Sequence, residues 1–184
     1  MPYTELINCD NFSVDGIKSL KILTYQTNGD PIVFPLNITL INDTDYIAEV
    51  HDDVINQKVT IGGQNMSYLV VDSVENCTFL DERIEARQGV YYQKTINITI
   101  PKLQSYTNNQ IISFLFSVNG SVAIANVVIL IEDSNKNLWL CGWDSPCIMQ
   151  SGNLQTDVYD TTENNYSYVF ISKSVNRTYQ FVNT

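Results

Sequence analysis

The chain has 184 residues, 44% hydrophobic and 16% charged, with 20 acidic side chains against 10 basic ones. Such a chain can bury a core of its own without disulfide or metal, and these fractions exclude a disordered polymer. The formal charge of −10 disfavours a surface that grips nucleic acid, because phosphate is repelled.

Residues 1–184 read as a single β domain, since Asn, Thr, Ser, Ile, Val and Tyr outweigh Ala and Leu. The opening Met1-Pro2-Tyr3-Thr4-Glu5 has no basic region followed by an apolar run, so no signal peptide is expected. No apolar stretch reaches the length of a membrane span, and no membrane partner is expected.

Ile17 to Thr24 reads as the first strand, broken by the turn chemistry of Thr27-Asn28-Gly29-Asp30-Pro31. Val33 to Ile41 reads as a second extended piece. An irregular acidic excursion is expected over about 28–63. Its acidic centre, Asn42 to Lys58, carries Asp43, Asp45, Glu49, Asp52 and Asp53 and reads as a long loop. Gly62-Gly63 marks a turn, and Tyr68 to Val74 a strand.

The clearest pattern lies between Cys77 and Ile100. Along Val90 to Ile100, Tyr92, Ile96, Ile98 and Ile100 alternate with Gln93, Thr95, Asn97 and Thr99. Period two over that length predicts a strand with one dry and one wet face. With the charged run Cys77 to Arg87 and a tight connection at Gln88-Gly89, it predicts a long β-hairpin.

Pro101 ends the hairpin. Thr107 and Gln110 then have capping-box spacing. Ile111, Ile112, Leu115, Phe116 and Val118 follow at helical intervals, and Asn119-Gly120 closes the segment. One flanking α-helix is therefore expected near 106–119. Ala123 to Glu132 reads as a buried strand, Asp133 to Asn137 as a turn, and Leu138 to Gly142 as the returning strand. Tyr166 to Ser172 and Thr178 to Val182 complete the series. Ile96, Ile98, Ile100, Phe116, Val128 and Leu130 are expected in one core.

No residue set predicts catalysis. The lone histidine, His51, has no Gly-x-Ser-x-Gly turn to serve. Asp81 and Glu82 are neighbours in a strand and point to opposite faces. Cys141 and Cys147 have no second pair or nearby His to complete a zinc site. Asn42-Asp43-Thr44-Asp45 lacks the Gly and Glu of an EF-hand loop, and Gly62-Gly63-Gln64-Asn65 lacks the Lys-Ser/Thr of a phosphate loop. No metal, cofactor or enzymatic activity is expected. A Cys141–Cys147 disulfide is sterically possible, but without an export signal reduced thiols are expected at Cys9, Cys77, Cys141 and Cys147. The frequent Asn-x-Ser/Thr triplets, Asn97-Ile98-Thr99 and Asn176-Arg177-Thr178 among them, follow from strands rich in Asn, Ser and Thr. Trp139, Trp143 and the tyrosines could stack sugars, although strand aromatics more often pair across strands.

A wider pattern emerges from Gly89-Val90-Tyr91-Tyr92-Gln93, Ile96-Asn97-Ile98-Thr99-Ile100-Pro101-Lys102-Leu103, Val127 to Asp133 and Asn137-Leu138-Trp139-Leu140-Cys141-Gly142. This order resembles small virion proteins of tailed bacteriophages that infect Bacteroidetes, including the crAss-like phages. The resemblance covers roughly 65–182. It implies a tail-tube-like β-sandwich or barrel with one flanking helix, assembled as a homo-oligomeric ring in the tail or neck around the DNA path. The implied ring is six-fold or twelve-fold. Its implied partners are further copies of itself and neighbouring portal, neck or tail proteins, with DNA passing through unread. Its implied location is the virion, after synthesis in the host bacterial cytoplasm. In such a ring Asp81, Arg83, Glu85, Gln93, Thr95 and Asn97 are expected to face the lumen. The alternatives are a β-sandwich module that binds glycan or a receptor, and a capsid accessory protein.

Overall fold

The computed structural model describes residues 16–26, 28–41, 45–47, 51–71, 77–101, 126–155 and 165–181. Within them the fold is mainly β, built from thirteen strands in curled sheets. They are β1 (Ile17–Gln26), β2 (Thr39–Ile41), β3 (Asp45–Ile47), β4 (His51–Asp53), β5 (Lys58–Ile61), β6 (Gln64–Val71), β7 (Thr78–Ala86), β8 (Gly89–Pro101), β9 (Val128–Asp133), β10 (Leu138–Cys141), β11 (Ile148–Gln155), β12 (Asn165–Ser174) and β13 (Tyr179–Phe181). The helix expected near 106–119, with Phe116, lies outside the described residues.

Seven strands form one sheet in the order β13-β10-β9-β1-β6-β5-β4, and four form a second in the order β11-β12-β8-β7. β2 and β3 pair with each other alone. The two larger sheets share a core. Leu20, Ile22, Val71, Ile129 and Ile131 come from the first; Ile96, Ile98, Tyr166, Tyr168 and Phe170 come from the second.

The seven-stranded sheet is buried on its other face too. Successive side chains of a strand point to opposite faces, so Val128 and Leu130 turn away from Ile129 and Ile131. They join Leu23, Val59, Ile61, Met66, Tyr68 and Leu140 in a second core. The expectation of a single core holding Ile96, Ile98, Val128 and Leu130 is thereby corrected: β9 is buried on both faces and divides its residues between two cores. The side chain of Ile100 lies outside the described set.

Residues 30–38 close the second core, with Ile32 and Leu36 buried in it. The expected extended piece Val33 to Ile41 is a strand only at its end, Thr39–Ile41. Before that the chain runs across the sheet, with a cis peptide at Phe34-Pro35. It is held by hydrogen bonds rather than by a ladder. The Gln64 side-chain amide accepts from the Val33 N–H at 2.9 Å and donates to the Val33 carbonyl at 2.8 Å. The Leu36 N–H donates to the Trp143 carbonyl at 2.7 Å. Gly62 sits beneath this segment at φ +58, where an added Cβ would lie 2.5 Å from the Asn37 carbonyl oxygen.

The irregular loop expected from Asn42 to Lys58 contains β3 and β4, and β4 forms a hairpin with β5 through residues 54–57. Asp53 holds that turn by accepting from the N–H groups of Ile55 and Asn56 and from the Asn56 side-chain amide. With Val59 and Ile61 in the second core, residues 51–61 belong to the seven-stranded sheet.

The β9–β10 turn is organised by Asp133. Its carboxylate accepts from the N–H groups of Asn135 and Asn137 at 2.8 and 2.9 Å, from the Asn137 amide at 3.0 Å, and from the Trp139 indole at 3.0 Å. Burial pushes its pKa upward, but the bonds from Trp139, Asn137 and Asn135 outweigh that and hold it below the usual carboxylate value. A depressed folded-state pKa contributes stability at pH values above the unfolded pKa, and that contribution is lost as pH falls through the folded one. Asp133→Asn is therefore expected to lower the thermal midpoint at pH 7, with the gap from wild type closing below about pH 4. A gap that stays constant from pH 7 to pH 2.5 in thermal melts would contradict this account of the turn.

Candidate functional site

The expected hairpin is present. β7 and β8 pair from Thr78↔Asn97 to Ala86↔Gly89, joined by Arg87 and Gln88. A two-residue connection pairs an odd-numbered residue with an even-numbered one. Phe79 faces Ile96, Asp81 faces Lys94, Arg83 faces Tyr92 and Glu85 faces Val90. Partners in register share a face. Asp81, Arg83 and Glu85 thus lie on the face that carries Ile96 and Ile98 into the core. Gln93, Thr95 and Asn97 lie on the opposite face, with Leu80 and Glu82. The six residues expected to share one face divide three and three.

The outer face carries an apolar row. Leu80, Thr95, Ile171 and Ile148 stand in register across all four strands, with Leu80 50% and Ile148 37% exposed. On the inner face burial declines along the hairpin. Ile96 and Lys94 are fully buried and Tyr92 is half-buried, while Arg83, Glu85 and Val90 are exposed. The tip outruns the sheet it packs on. Arg83 and Glu85 form an ion pair there, and the Arg177 guanidinium stacks over Tyr92, 5.3 Å from the ring centre. β7 is the edge of its sheet, with no strand on its far side among the described residues.

A second feature lies deeper. Lys94 is fully buried although it occupies an inward position of β8, between Tyr92 and Ile96. Burying an amine without partners is costly. The fold supplies partners where the chain passes twice between the sheets: along residues 142–147 from β10 to β11, and along 175–178 from β12 to β13. Lys94 Nζ donates to the Asn176 carbonyl at 2.7 Å. Asp81, opposite Lys94, accepts from the Thr178 N–H at 2.8 Å. Asp144 accepts from the Ser174 hydroxyl and, at 2.9 Å, from the Asn176 side-chain amide. The Ser172 hydroxyl donates to the Ser145 carbonyl at 2.6 Å. Oδ1 of Asp81 and Oδ1 of Asp144 are buried and accept no hydrogen bond among the described residues.

This polar clasp joins the two crossings to each other and to the base of the hairpin. Gly142 permits the first crossing. Its φ is +86, and an added Cβ would sit 2.9 Å from Cys147 Sγ. Cys77, Cys141 and Cys147 are free thiols. Burial pushes the Cys141 thiol well above its ordinary pKa and Cys147 up to about 12. Both are protonated at neutral pH and poor nucleophiles.

One cleft opens on the outer face of the larger sheet. It has a volume of about 240 Å³ and is lined by Ser19, Lys21, Asp52, Leu130, Glu132, Lys136 and Leu138. Lys21 pairs with Asp52 and lies 4.7 Å from the centre of the Tyr68 ring; Lys18 pairs with Glu132 at 2.6 Å. Lys21 and both carboxylates of the wall are thus already engaged in ion pairs. No group of three or more His, Cys, Asp and Glu converges as a metal-binding set among the described residues.

Sequence reasoning missed the clasp, though a signal for it exists. Lys94 breaks the dry half of an otherwise alternating strand, which demands a buried partner. That partner, the Asn176 carbonyl, lies 82 positions further on. No family model, no curated protein and no solved structure matches this chain.

Proposed function

We propose that the chain is a structural subunit that assembles with copies of itself through the β7–β8 hairpin, as a ring around the DNA path in a phage tail or neck. The observation that carries this reading is the projecting tip. A two-stranded ribbon is marginally stable on its own, and an open edge such as β7 pairs readily with another chain. Here the end of the ribbon, residues 84–86 and 89–91, runs past β12 with Val90 43% exposed, and Leu80 is 50% exposed on the edge strand. Edge pairing between neighbours covers the open side of β7, and repeated around an axis it closes a barrel. The virion setting comes from the sequence resemblance. In such a ring the face of the hairpin turned away from the core lines the lumen, so only half of the six polar residues do so: Gln93, Thr95 and Asn97, because Asp81, Arg83 and Glu85 share the face of Ile96 and Ile98.

The double substitution Leu80→Lys with Val90→Lys tests the hairpin contact. Both side chains are exposed, so the monomer keeps its fold, with stability changes of about 0.5 kcal/mol or less at each site. Sedimentation velocity is expected to show a closed oligomer for wild type and a monomer for the variant. A wild-type monomer over the whole concentration range, coupled with retention on a glycan array, would favour the ligand-binding alternative.

A further inference from the structure

We infer that Lys94 and Asn176 are positioned to form an intramolecular isopeptide bond, with Asp144 as the proton carrier. Three observations converge on this. The Lys94 amine is fully buried, which limits competition from bulk water. Its Nζ already touches Asn176, at 2.7 Å from the main-chain oxygen. The side-chain amide of the same asparagine is held by Asp144 Oδ2 at 2.9 Å, while Asp144 Oδ1 is buried and has no hydrogen-bond partner among the described residues.

Covalent geometry keeps a residue's Cγ within about 5 Å of its own carbonyl oxygen. Attack requires Nζ to leave that oxygen for Asn176 Cγ, by rotation about the terminal torsions of Lys94, until the two lie roughly 3–3.5 Å apart. Fixed positioning of this kind replaces a bimolecular encounter, with effective concentrations of about 10⁵–10⁸ M. That is the advantage an unactivated amide requires.

The step balances without an outside reagent. On reaching Cγ, the Lys94 ammonium gives one proton to Asp144 Oδ1, and the freed electron pair of Nζ forms a bond to Asn176 Cγ. The Cγ–Nδ2 bond breaks as Asp144 returns that proton to Nδ2; a second Nζ proton passes the same way, and the fragment leaves as ammonium. The third Nζ proton stays on the new secondary amide. Nothing is oxidised or reduced. The product locks β8 to the crossing between β12 and β13, joining the base of the hairpin to the far end of the chain.

Mass spectrometry of the intact, denatured protein tests this. Wild type is expected to be lighter than its sequence mass by one ammonia, and proteolysis should yield a branched peptide linking Lys94 to Asn176. Lys94→Met, Asn176→Ala and Asp144→Asn should each restore the full mass. A wild-type protein of full sequence mass that is folded by circular dichroism would overturn the proposal, whatever the variants do. Loss of ammonia that persists in Lys94→Met would also overturn it, since cyclisation at an asparagine such as Asn119, before Gly120, releases ammonia without lysine. Neither result bears on ring formation, which is measured separately by sedimentation.

Discussion

Phe170→Ala is expected to cost about 3–5 kcal/mol, the range for deleting a buried aromatic ring from a packed core. Phe170 is 1% exposed and lies among residues of both larger sheets. Its register partner on β8 is Ile96, and on β11 it is Met149, so truncation leaves a void that neither sheet can fill alone. Losses of this size approach the whole stability of many domains of this length, and the variant is expected to express poorly or melt tens of degrees lower. Urea unfolding followed by tryptophan fluorescence measures it, because Trp139 packs against the same core. A loss below about 1 kcal/mol would mean that the two sheets do not share this core.

Asp144→Ala is expected to cost about 2–4 kcal/mol, because it strands two donors at once. The Ser174 hydroxyl and the Asn176 amide both bond to Asp144, and Ser174 is 6% exposed. The residue contributes hydrogen bonds rather than apolar surface, so a protein held together only by apolar packing would tolerate the change. The effect should also be local. Amide hydrogen exchange is expected to accelerate over 142–147 and 175–178, the two crossings that the clasp ties together, before it does so in β9 or β1. Uniform acceleration across all strands would show instead that the clasp is not a separate unit. A neutral result would contradict the clasp outright.

What could be read from the chain follows its periodicities. β8 was legible because Ile96 and Ile98 alternate with Thr95 and Asn97, a pattern that only a half-buried strand produces. Its pairing with β7 was legible from the tight connection expected at Gln88-Gly89, which the structure places one residue earlier, at Arg87-Gln88. The face assignment across that connection was not: each strand's alternation is visible by itself, but the register that joins odd to even residues depends on the turn. β11 escaped altogether. Ile148 to Gln155 reads Ile-Met-Gln-Ser-Gly-Asn-Leu-Gln, without sustained alternation and with a glycine inside. It is a strand because β12 pairs with it, and the register shifts between Met149 and Ser151.

The same logic explains the acidic stretch. His51-Asp52-Asp53 looks like a solvated loop, yet it pairs with Lys58-Val59-Thr60, and Lys21 on β1 matches the charge of Asp52. A charged segment can close a sheet when its ladder partner and counter-ion come from elsewhere in the chain. Ile129 and Leu130 were both legible as buried, but a continuous apolar run cannot tell which core each enters; only the sheet's two covered faces decide that. The clasp residues were least visible, because their chemistry arises where two loops meet that lie far apart in sequence.

Negative-stain microscopy of the purified wild-type protein tests the central claim most directly. Class averages are expected to show closed annular particles of uniform diameter with a stain-filled lumen, abolished in the Leu80→Lys/Val90→Lys variant. A field of uniform monomers at concentrations where the protein is folded and soluble would contradict the assembly reading.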